Sequence, residues 1–448
     1  MERELALIVD PNGAKIAVLQ LNRKHEEQEN QMEQIEKERY VALTDRYLKQ
    51  RSAGKMPEAV TGDLRFCLKK QEERLRAFDI SMHEEYAFQD GAITGAVESS
   101  QRNSRSPFRG FAAFRETVRT TEFCRNEKKV FHRQEPVTFY SVIVDKKGSG
   151  DVTVNCPNCG AAALASKLQE GCPYCGTCFK MSELFPRISS CYATKDVVER
   201  VGMEERIKST LKKIGAAIFV ILLLFCFLTD KNAEELPVWF LILKNVFLSA
   251  ISSAALTFFA YLFYSFFLMG KLFAQLGSVM PMVGTASSQN RLKKQMEKWD
   301  PFFFIRIFEG KLVSLMQAIL FSDDRKDLSI YEGDDDLSAF DDLIDMDYRG
   351  AFKLKQFGIR ERRVSVLLEV FTENTYAGKH FRRRNERMLV RMERSADAVT
   401  DTGFSIHAVS CEKCGGSFDA MHVRNCPFCG AEYHAAESDW VITEIRKK

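Results

Sequence analysis

Eight of the 13 cysteines fall in four Cys-x-x-Cys knuckles, and the knuckles come in two pairs. The first pair is Cys156-Pro-Asn-Cys159-Gly with Cys172-Pro-Tyr-Cys175-Gly; the second is Cys411-Glu-Lys-Cys414-Gly with Cys426-Pro-Phe-Cys429-Gly. Each knuckle sets two thiolates on one tight turn. The glycine after the second cysteine permits the positive φ of that turn and lets backbone N–H groups approach sulfur. Two knuckles about a dozen residues apart complete a tetrahedron for zinc, so the expectation is two zinc ions per chain, on Cys156, Cys159, Cys172 and Cys175 and on Cys411, Cys414, Cys426 and Cys429. A catalytic zinc keeps an open position, usually beside His or carboxylate ligands; four cysteines close the shell, which predicts structural ions. A single Cys-x-x-Cys could be a redox dithiol, but two matched pairs with following glycines argue against it. Cys178 and Cys191 read as spare thiols, Cys226 as packing in an apolar run, and His407, His422 and His434 as bystanders.

The double knuckle resembles the zinc-ribbon family. In that arrangement a strand leads into each first knuckle: Thr138 to Val144 is expected to pair with Asp151 to Asn155, and Phe404 to Ser410 precedes Cys411. Reduced thiolates on metal belong to a reducing compartment. The start Met1-Glu2-Arg3-Glu4 reads as neither a cleavable signal peptide nor a mitochondrial presequence. At 448 residues two or three domains are expected, and 45% apolar residues suffice for real cores. A net charge of +3 argues against nucleic acid as a chain-wide partner.

Between the cysteine units lie two apolar runs, about 212–229 and 245–270, uncharged over Ile214 to Leu228 and Asn245 to Gly270 and read as a transmembrane helical hairpin over 211–270. Lys208, Lys212, Lys213 and Lys271, then Arg291, Lys293 and Lys294, flank the hairpin. The positive-inside rule therefore places both ends and both ribbons in the cytoplasm of a multi-pass cell-membrane protein. Ser249, Ser252, Ser253 and Ala254 offer small surfaces for helix packing, against a neighbouring helix or a second copy of the chain.

The remaining elements must position these sites. Residues 1–110 read as a strand hairpin (Leu5 to Val9 and Ile16 to Leu21), a solvated charged helix over 22–52 with a thin stripe through Met32, Ile35 and Leu43, a second amphipathic helix over 64–88, and a linker from Gly91 to Gly110. The first ribbon region spans 111–192. Arg102, Arg105, Arg109, Arg115, Arg119 and Arg125, interleaved with Phe108, Phe111 and Phe114, read as a solvated face or a weak lipid contact. No repeat is visible beyond the cysteine units.

After a linker over 271–299, Trp299-Asp300-Pro301 opens a helix, with Asp300 as its cap and Phe304, Phe308, Leu312, Leu315 and Ile319 on one face. The acidic stretch Glu332 to Asp347 buries Leu337, Phe340, Leu343 and Ile344 and lacks the spacing of a calcium loop. Alternation then predicts strands through Val364 to Val370, Met388 to Met392, Phe404 to Ala408 and Trp440 to Ile445. The Asp300-Pro301 start with Phe302-Phe303-Phe304, the helix ending at Asp323 and the closing Trp440 to Ile445 resemble the TIM forty-four-like domain, of the bacterial type that carries zinc ribbons and membrane spans. The resemblance covers the last third of the chain. It implies a nuclear-transport-factor-two-like α+β cone over 300–448, with the second ribbon, about 408–432, inserted in its last hairpin. It also implies membrane association and a protein partner.

The fold class expected is thus α+β: two four-cysteine zinc ribbons, a transmembrane hairpin and the C-terminal cone. The leading function is a membrane-anchored adaptor, not an enzyme, that binds a protein segment or lipid through the cone. Two alternatives stand beside it. One is an isomerase- or hydratase-like enzyme using Asp345, Asp347, Tyr376 or His380; the other is a tethered nucleic-acid binder using Arg360, Arg362, Arg363, Arg382, Arg383, Arg384 and Arg387.

Overall fold

The computed structural model describes residues 34–88, 93–98, 106–195, 217–229, 237–279, 285–378 and 381–448. The chain divides into two compact units: Met1–Lys195 folds together with Gly284–Lys448, and Asp196–Val283 forms the other. The mixed α+β composition agrees with the sequence. The joining of the two flanking regions into one unit does not follow from the domain boundaries read along the chain.

In the larger unit the first half begins with helix α1, residues 34–52. Its stripe is not merely solvated: Tyr40, Tyr47 and Leu48 are buried, and the Tyr40 ring stacks on Phe111 at 4.0 Å. Met32 lies outside the described residues, as does the hairpin expected over 4–21, and Ile35 is exposed. Helix α2, Gly62–Ala77, follows. It stops well short of the expected helix end at 88 because Asp79 takes a φ of 55° and the chain turns into strand β1, Ile80–Ala87. The expected linker instead holds strand β2, Thr94–Glu98, and the start of β3, Phe108–Arg125. Strand β4, Lys128–Lys146, leads into the first cysteine unit. That unit holds strands β5, Thr153–Asn155, and β6, Ala162–Leu164, and the short helices α3, Ala165–Glu170, and α4, Met181–Leu184. Strand β7, Arg187–Lys195, completes a sheet in the order β1-β3-β4-β7, with β2 paired to β3. Asn126 and Glu127, at φ 48° and 62°, close the long β3–β4 hairpin, a left-handed pair of the kind that matches strand twist.

In the smaller unit, helix α5, Ala217–Thr229, is apolar but short, and helix α6 runs Val238–Val279, longer than the expected 245–270. The stretch Val238–Phe259 of α6 is long and apolar enough to cross a membrane. One such helix, not a pair, is therefore present among the described residues. Along its first turns Asn245, Ser249 and Ser253 are buried at helical spacing, one small polar face.

The second half of the larger unit repeats the order of the first. Helix α7, Thr285–Met296, occupies what reads in sequence as linker, and α8, Ile305–Phe321, carries the expected apolar face through Phe308, Leu312, Leu315 and Ile319. Strands β8 (Leu343–Arg360), β9 (Arg363–Tyr376), β10 (Arg382–Ser395) and β13 (Val441–Lys447) form an antiparallel sheet in the order β8-β9-β10-β13. In each half, then, two helices precede the sheet, and a cysteine unit interrupts the last strand pair, β4–β7 or β10–β13, which closes antiparallel across it. The repeat in the sequence therefore reaches beyond the cysteines, to the topology.

Three local expectations are corrected. Strand Thr138 to Val144 pairs with β3 and β7, while the ribbon strand β5 pairs with β6. Only Val409–Ser410 (β11) of the run from Phe404 is a strand, paired with Ser417–Phe418 (β12). Asp300 is not the helix cap: Phe304 holds that place, and the fully buried Asp300 carboxylate accepts from Arg394 at 2.7 Å and from the Thr400 N–H at 2.9 Å. It ties the start of α8 to the end of β10, an anchor that local spacing cannot reveal.

The halves meet along α2, α8, β7 and β8. Cys67 of α2 donates to the Ser314 carbonyl of α8 at 3.3 Å, and Tyr192 of β7 lies edge-on to Tyr348 of β8 at 5.6 Å. Both tyrosine hydroxyls donate to the buried Glu309 carboxylate, at 3.1 and 2.9 Å, which also accepts from Gln289 and Arg306. These bonds, not exposure to water, satisfy the carboxylate.

Candidate metal centres and the clefts around them

All four knuckles repeat one hydrogen-bond pattern. The N–H of the glycine after the second cysteine donates to the carbonyl of the first: Gly160 to Cys156 at 2.9 Å, Gly176 to Cys172 at 2.8 Å, Gly415 to Cys411 at 2.8 Å and Gly430 to Cys426 at 2.9 Å. Those glycines sit at φ of 80°, 73°, 72° and 70°, in the left-handed region that a side chain disfavours. The N–H of each first cysteine is bonded back to the far side of its turn, as from Cys426 to the Ala431 carbonyl at 2.7 Å. These bonds define the shape of each turn.

The turns bring the sulfurs into two groups, Cys156, Cys159, Cys172 and Cys175, and Cys411, Cys414, Cys426 and Cys429, with the ligand atoms of each group within 4.8 Å of one another. The sulfur pairs that join one knuckle to the other, Cys156–Cys175, Cys159–Cys172, Cys411–Cys429 and Cys414–Cys426, stand 3.7 Å apart. Four sulfurs placed tetrahedrally around one ion at ~2.3 Å would be ~3.8 Å apart. Both groups thus fit a single tetrahedral metal ion with no further ligand. Among the described residues no histidine or carboxylate joins either group. His407 pairs with Asp419 at 2.8 Å, His422 with Asp324 at 3.6 Å and His434 with Glu432 at 3.1 Å. Cys178 is exposed near the Glu170 carbonyl, Cys191 meets the Tyr47 hydroxyl at 3.1 Å, and Cys226 lies on α5.

The two ribbons touch. Thr153 Oγ1 and Ser410 Oγ are 2.7 Å apart, and Asn155 Nδ2 donates to the His407 carbonyl at 2.8 Å. Between them opens a groove of about 670 Å³, floored by Phe108, Val152, Phe404, Val409 and Phe418. Exposed Glu412, Glu432 and Glu437 also line it, together with Lys413 and with His434, which pairs with Glu432 at 3.1 Å. Sequence reasoning did not foresee the groove, because its walls come from two cysteine units far apart in the chain.

Of the candidate catalytic residues, Asp345 and Asp347 come together in a cavity of about 70 Å³ between the halves, with Glu84, Arg119 and Cys191. Burial first, and Asp347 second, push the Asp345 carboxyl up to about 7. Tyr376 is elsewhere, donating to Glu386, and His380 lies outside the described residues.

The described part of the first basic run is largely internal, whereas in the second half Arg360, Arg362, Arg382, Arg384 and Arg387 are exposed and Arg363 and Arg383 half-buried. Arg119 is buried, chelating Asp347 at 2.8 and 2.6 Å and reaching Glu135 at 2.8 Å. Arg109 bonds Glu36, Arg115 pairs with Asp45, and Arg125 donates to the Ala377 carbonyl. Phe108 and Phe111 are buried rather than laid on a surface, and Arg102 and Arg105 lie outside the described residues. In the second half Arg363 pairs with Glu332 at 3.0 Å, Arg383 with Glu373 at 2.8 Å and Asp347 at 3.2 Å, Arg387 with Glu369 at 3.6 Å, and Arg362 with Asp397. Two of these, Arg363 and Arg383, answer carboxylates of the acidic 332–347 stretch.

No family model, no curated protein and no solved structure matches the chain.

Proposed function

We propose that this chain is a membrane-anchored adaptor whose zinc-loaded ribbons form a docking groove for a basic segment of a protein partner. The observation that carries it is the groove between the ribbons. Its volume of about 670 Å³ and its aromatic floor suit one or two apolar side chains, and its glutamates suit lysine or arginine beside them. Zinc is the ion of choice for four thiolates in tetrahedral array, and closed four-cysteine shells hold structure rather than perform chemistry. Apolar α5 and α6 then serve as the membrane hairpin, with both ends of the chain on the reducing, cytoplasmic side. The second half would be the TIM forty-four-like domain with its inserted ribbon, and the first half a relative of it. The cavity at Asp345 has room for a few waters rather than a substrate, which favours binding over catalysis.

The test uses full-length protein in detergent micelles and a fluorescent lysine-rich peptide bearing one phenylalanine. Saturable binding is expected, weakened at least tenfold by Glu412→Lys with Glu437→Lys. Absence of saturable binding, or indifference to the charge reversal, refutes the adaptor reading. Accessibility of tags at the two ends in sealed vesicles separately checks the topology.

A further inference from the structure

Behind the first ribbon lies a second cleft, of about 250 Å³, lined by Gly62, Arg65, Lys69, Asn155, Arg187 and His407. Its chemistry is opposite to that of the groove. Arg187, the first residue of β7, is 3% exposed and donates from Nη1 to the Asn155 carbonyl at 3.1 Å. Its Nε and Nη2 groups are buried without a hydrogen-bond partner, and so is Nε2 of His407, a residue 7% exposed. With the His407 ring charged, Nε2 is a donor as well. Unmatched buried donors are costly, about 1–3 kcal/mol each and more when charged, so a native structure that keeps three of them around one cleft calls for a ligand that accepts.

The acceptors that line the cleft, among them Asn155 and the sulfurs of Cys156 and Cys159, make no hydrogen bond to these three atoms. Arg65 donates to the carbonyls of Pro157 at 2.9 Å and Glu58 at 3.5 Å, which leaves three of its five N–H groups for a ligand. The carboxylate lining the cleft, Asp419, is taken up by Nδ1 of His407 at 2.8 Å. The start of α2 opens onto the same space: Thr61 at its N-cap makes no side-chain cap bond, and a Cβ on Gly62 would strike Asn155 Oδ1. The first turn of α2 already carries Asp63, whose Oδ1 accepts from the Ile406 N–H at 3.2 Å; what the turn offers an anion is its free backbone N–H groups.

The neighbouring thiolate cage accounts for only part of the positive charge. Four thiolates with one divalent ion carry a charge of about −2, against Arg65, Lys69 and Arg187. The second cage is a natural control, because the strand that follows it begins with Val441 where β7 begins with Arg187. A cage of this kind therefore does not itself require a buried arginine at that position.

We propose that this cleft binds a phosphate group, as the head of a small phosphomonoester, between Arg187, Arg65, Lys69, His407 Nε2 and the first turn of α2. The fork of the Arg187 guanidinium matches two phosphate oxygens, which a lysine could not do. A bound phosphate would join α2, the first ribbon and the lead-in to the second, all of which wall the cleft. The site is independent of the adaptor groove, which lies on other residues of the two ribbons.

The experiment is calorimetric titration of full-length, zinc-loaded protein in neutral-detergent micelles with inorganic phosphate. Glycerol 3-phosphate and micelles doped with phosphatidic acid form two further arms, which separate a soluble ligand from a lipid head group. One saturable site per chain is expected, with competition by sulfate. Arg187→Gln should weaken phosphate at least tenfold and the exposed Lys69→Gln severalfold, each with zinc content unchanged, while Arg384→Gln, on a distant strand, should leave it unaltered. Lys69→Gln carries the test if Arg187→Gln does not fold. Overturning results are no saturable uptake of phosphate, wild-type affinity in Lys69→Gln, or zinc loss from Arg187→Gln with phosphate binding retained.

Discussion

Arg119 is the side chain on which the union of the two halves most directly depends. It projects from β3 of the first half and chelates Asp347 of β8 in the second, at 2.8 and 2.6 Å, while its Nη2 also reaches Glu135 at 2.8 Å. It is 6% exposed, Asp347 8% and Glu135 7%. Replacing Arg119 by alanine leaves two buried carboxylates sharing Arg383, which stands 3.2 Å from Asp347 and 3.7 Å from Glu135, with Arg133 on the far side of Glu135. Breaking a buried pair on one side costs about 3–5 kcal/mol, because the orphaned charge stays desolvated. Replacing both partners, Arg119→Met with Asp347→Leu, removes the orphan and should cost less than the two single changes summed, by about 1–3 kcal/mol. The assay is urea unfolding of the zinc-loaded protein carrying Trp239→Phe, so that the fluorescence comes from Trp299 and Trp440 in the second half. With a urea slope of about 3 kcal/mol/M, Arg119→Ala should lower the midpoint by about 1 M or more. Because Arg119 and both reporters are on opposite halves, that shift would also show that the halves unfold together. A shift below about 0.3 M, or strict additivity in the double variant, refutes the reasoning.

Three further outcomes are expected. Burial keeps a proton on Asp345 up to about 7, whereas in the unfolded chain it leaves near pH ~4. The contribution is therefore present at low pH and lost as pH rises through the folded value; Asp345→Asn should flatten the fall in thermal midpoint between about pH 4 and 7 and be the more stable form at about pH 8. Metal analysis should find two zinc ions per chain, and Cys411→Ser should leave one, with the first cage intact. Gly310→Ala should destabilise by about 1–3 kcal/mol in the same urea assay, despite alanine's better helix propensity, since a Cβ there would strike Ser190 Oγ and come within 2.8 Å of Val142 Cγ2.

Much of the local structure is written in short-range pattern. The knuckles specify their own turns through residues adjacent in the chain, so the eight cysteines that cluster could be named from spacing. The face of α8 and the alternation of β9 and β10 were legible for the same reason: Val364, Val366 and Val370, and Met388, Val390 and Met392, all point into one core. Strand β8 was not, because register shifts near Leu343, Tyr348 and Leu354 break its alternation. The run read as a linker hid β2 and the start of β3 because its glycines, serines and arginines suit a loop equally well. There Gly95 packs against the Phe114 ring, and further along β3 Arg119 finds the Asp347 carboxylate on a strand of the other half.

By itself, the sequence determined where thiolates gather, where the chain is apolar enough for a bilayer and which helix faces seek a core. These follow from neighbours within a few residues, whose geometry the backbone fixes. Only the tertiary structure decided that the segments on either side of the apolar region are one body with a repeated topology, that Arg119 and Arg383 turn inward, and that the ribbons frame one groove and back onto one cationic cleft. Those outcomes depend on pairings between residues far apart in the chain, such as Arg119 with Asp347 and Asn155 with His407. Their free energy appears only once the two sheets are in place, so no local pattern carries it.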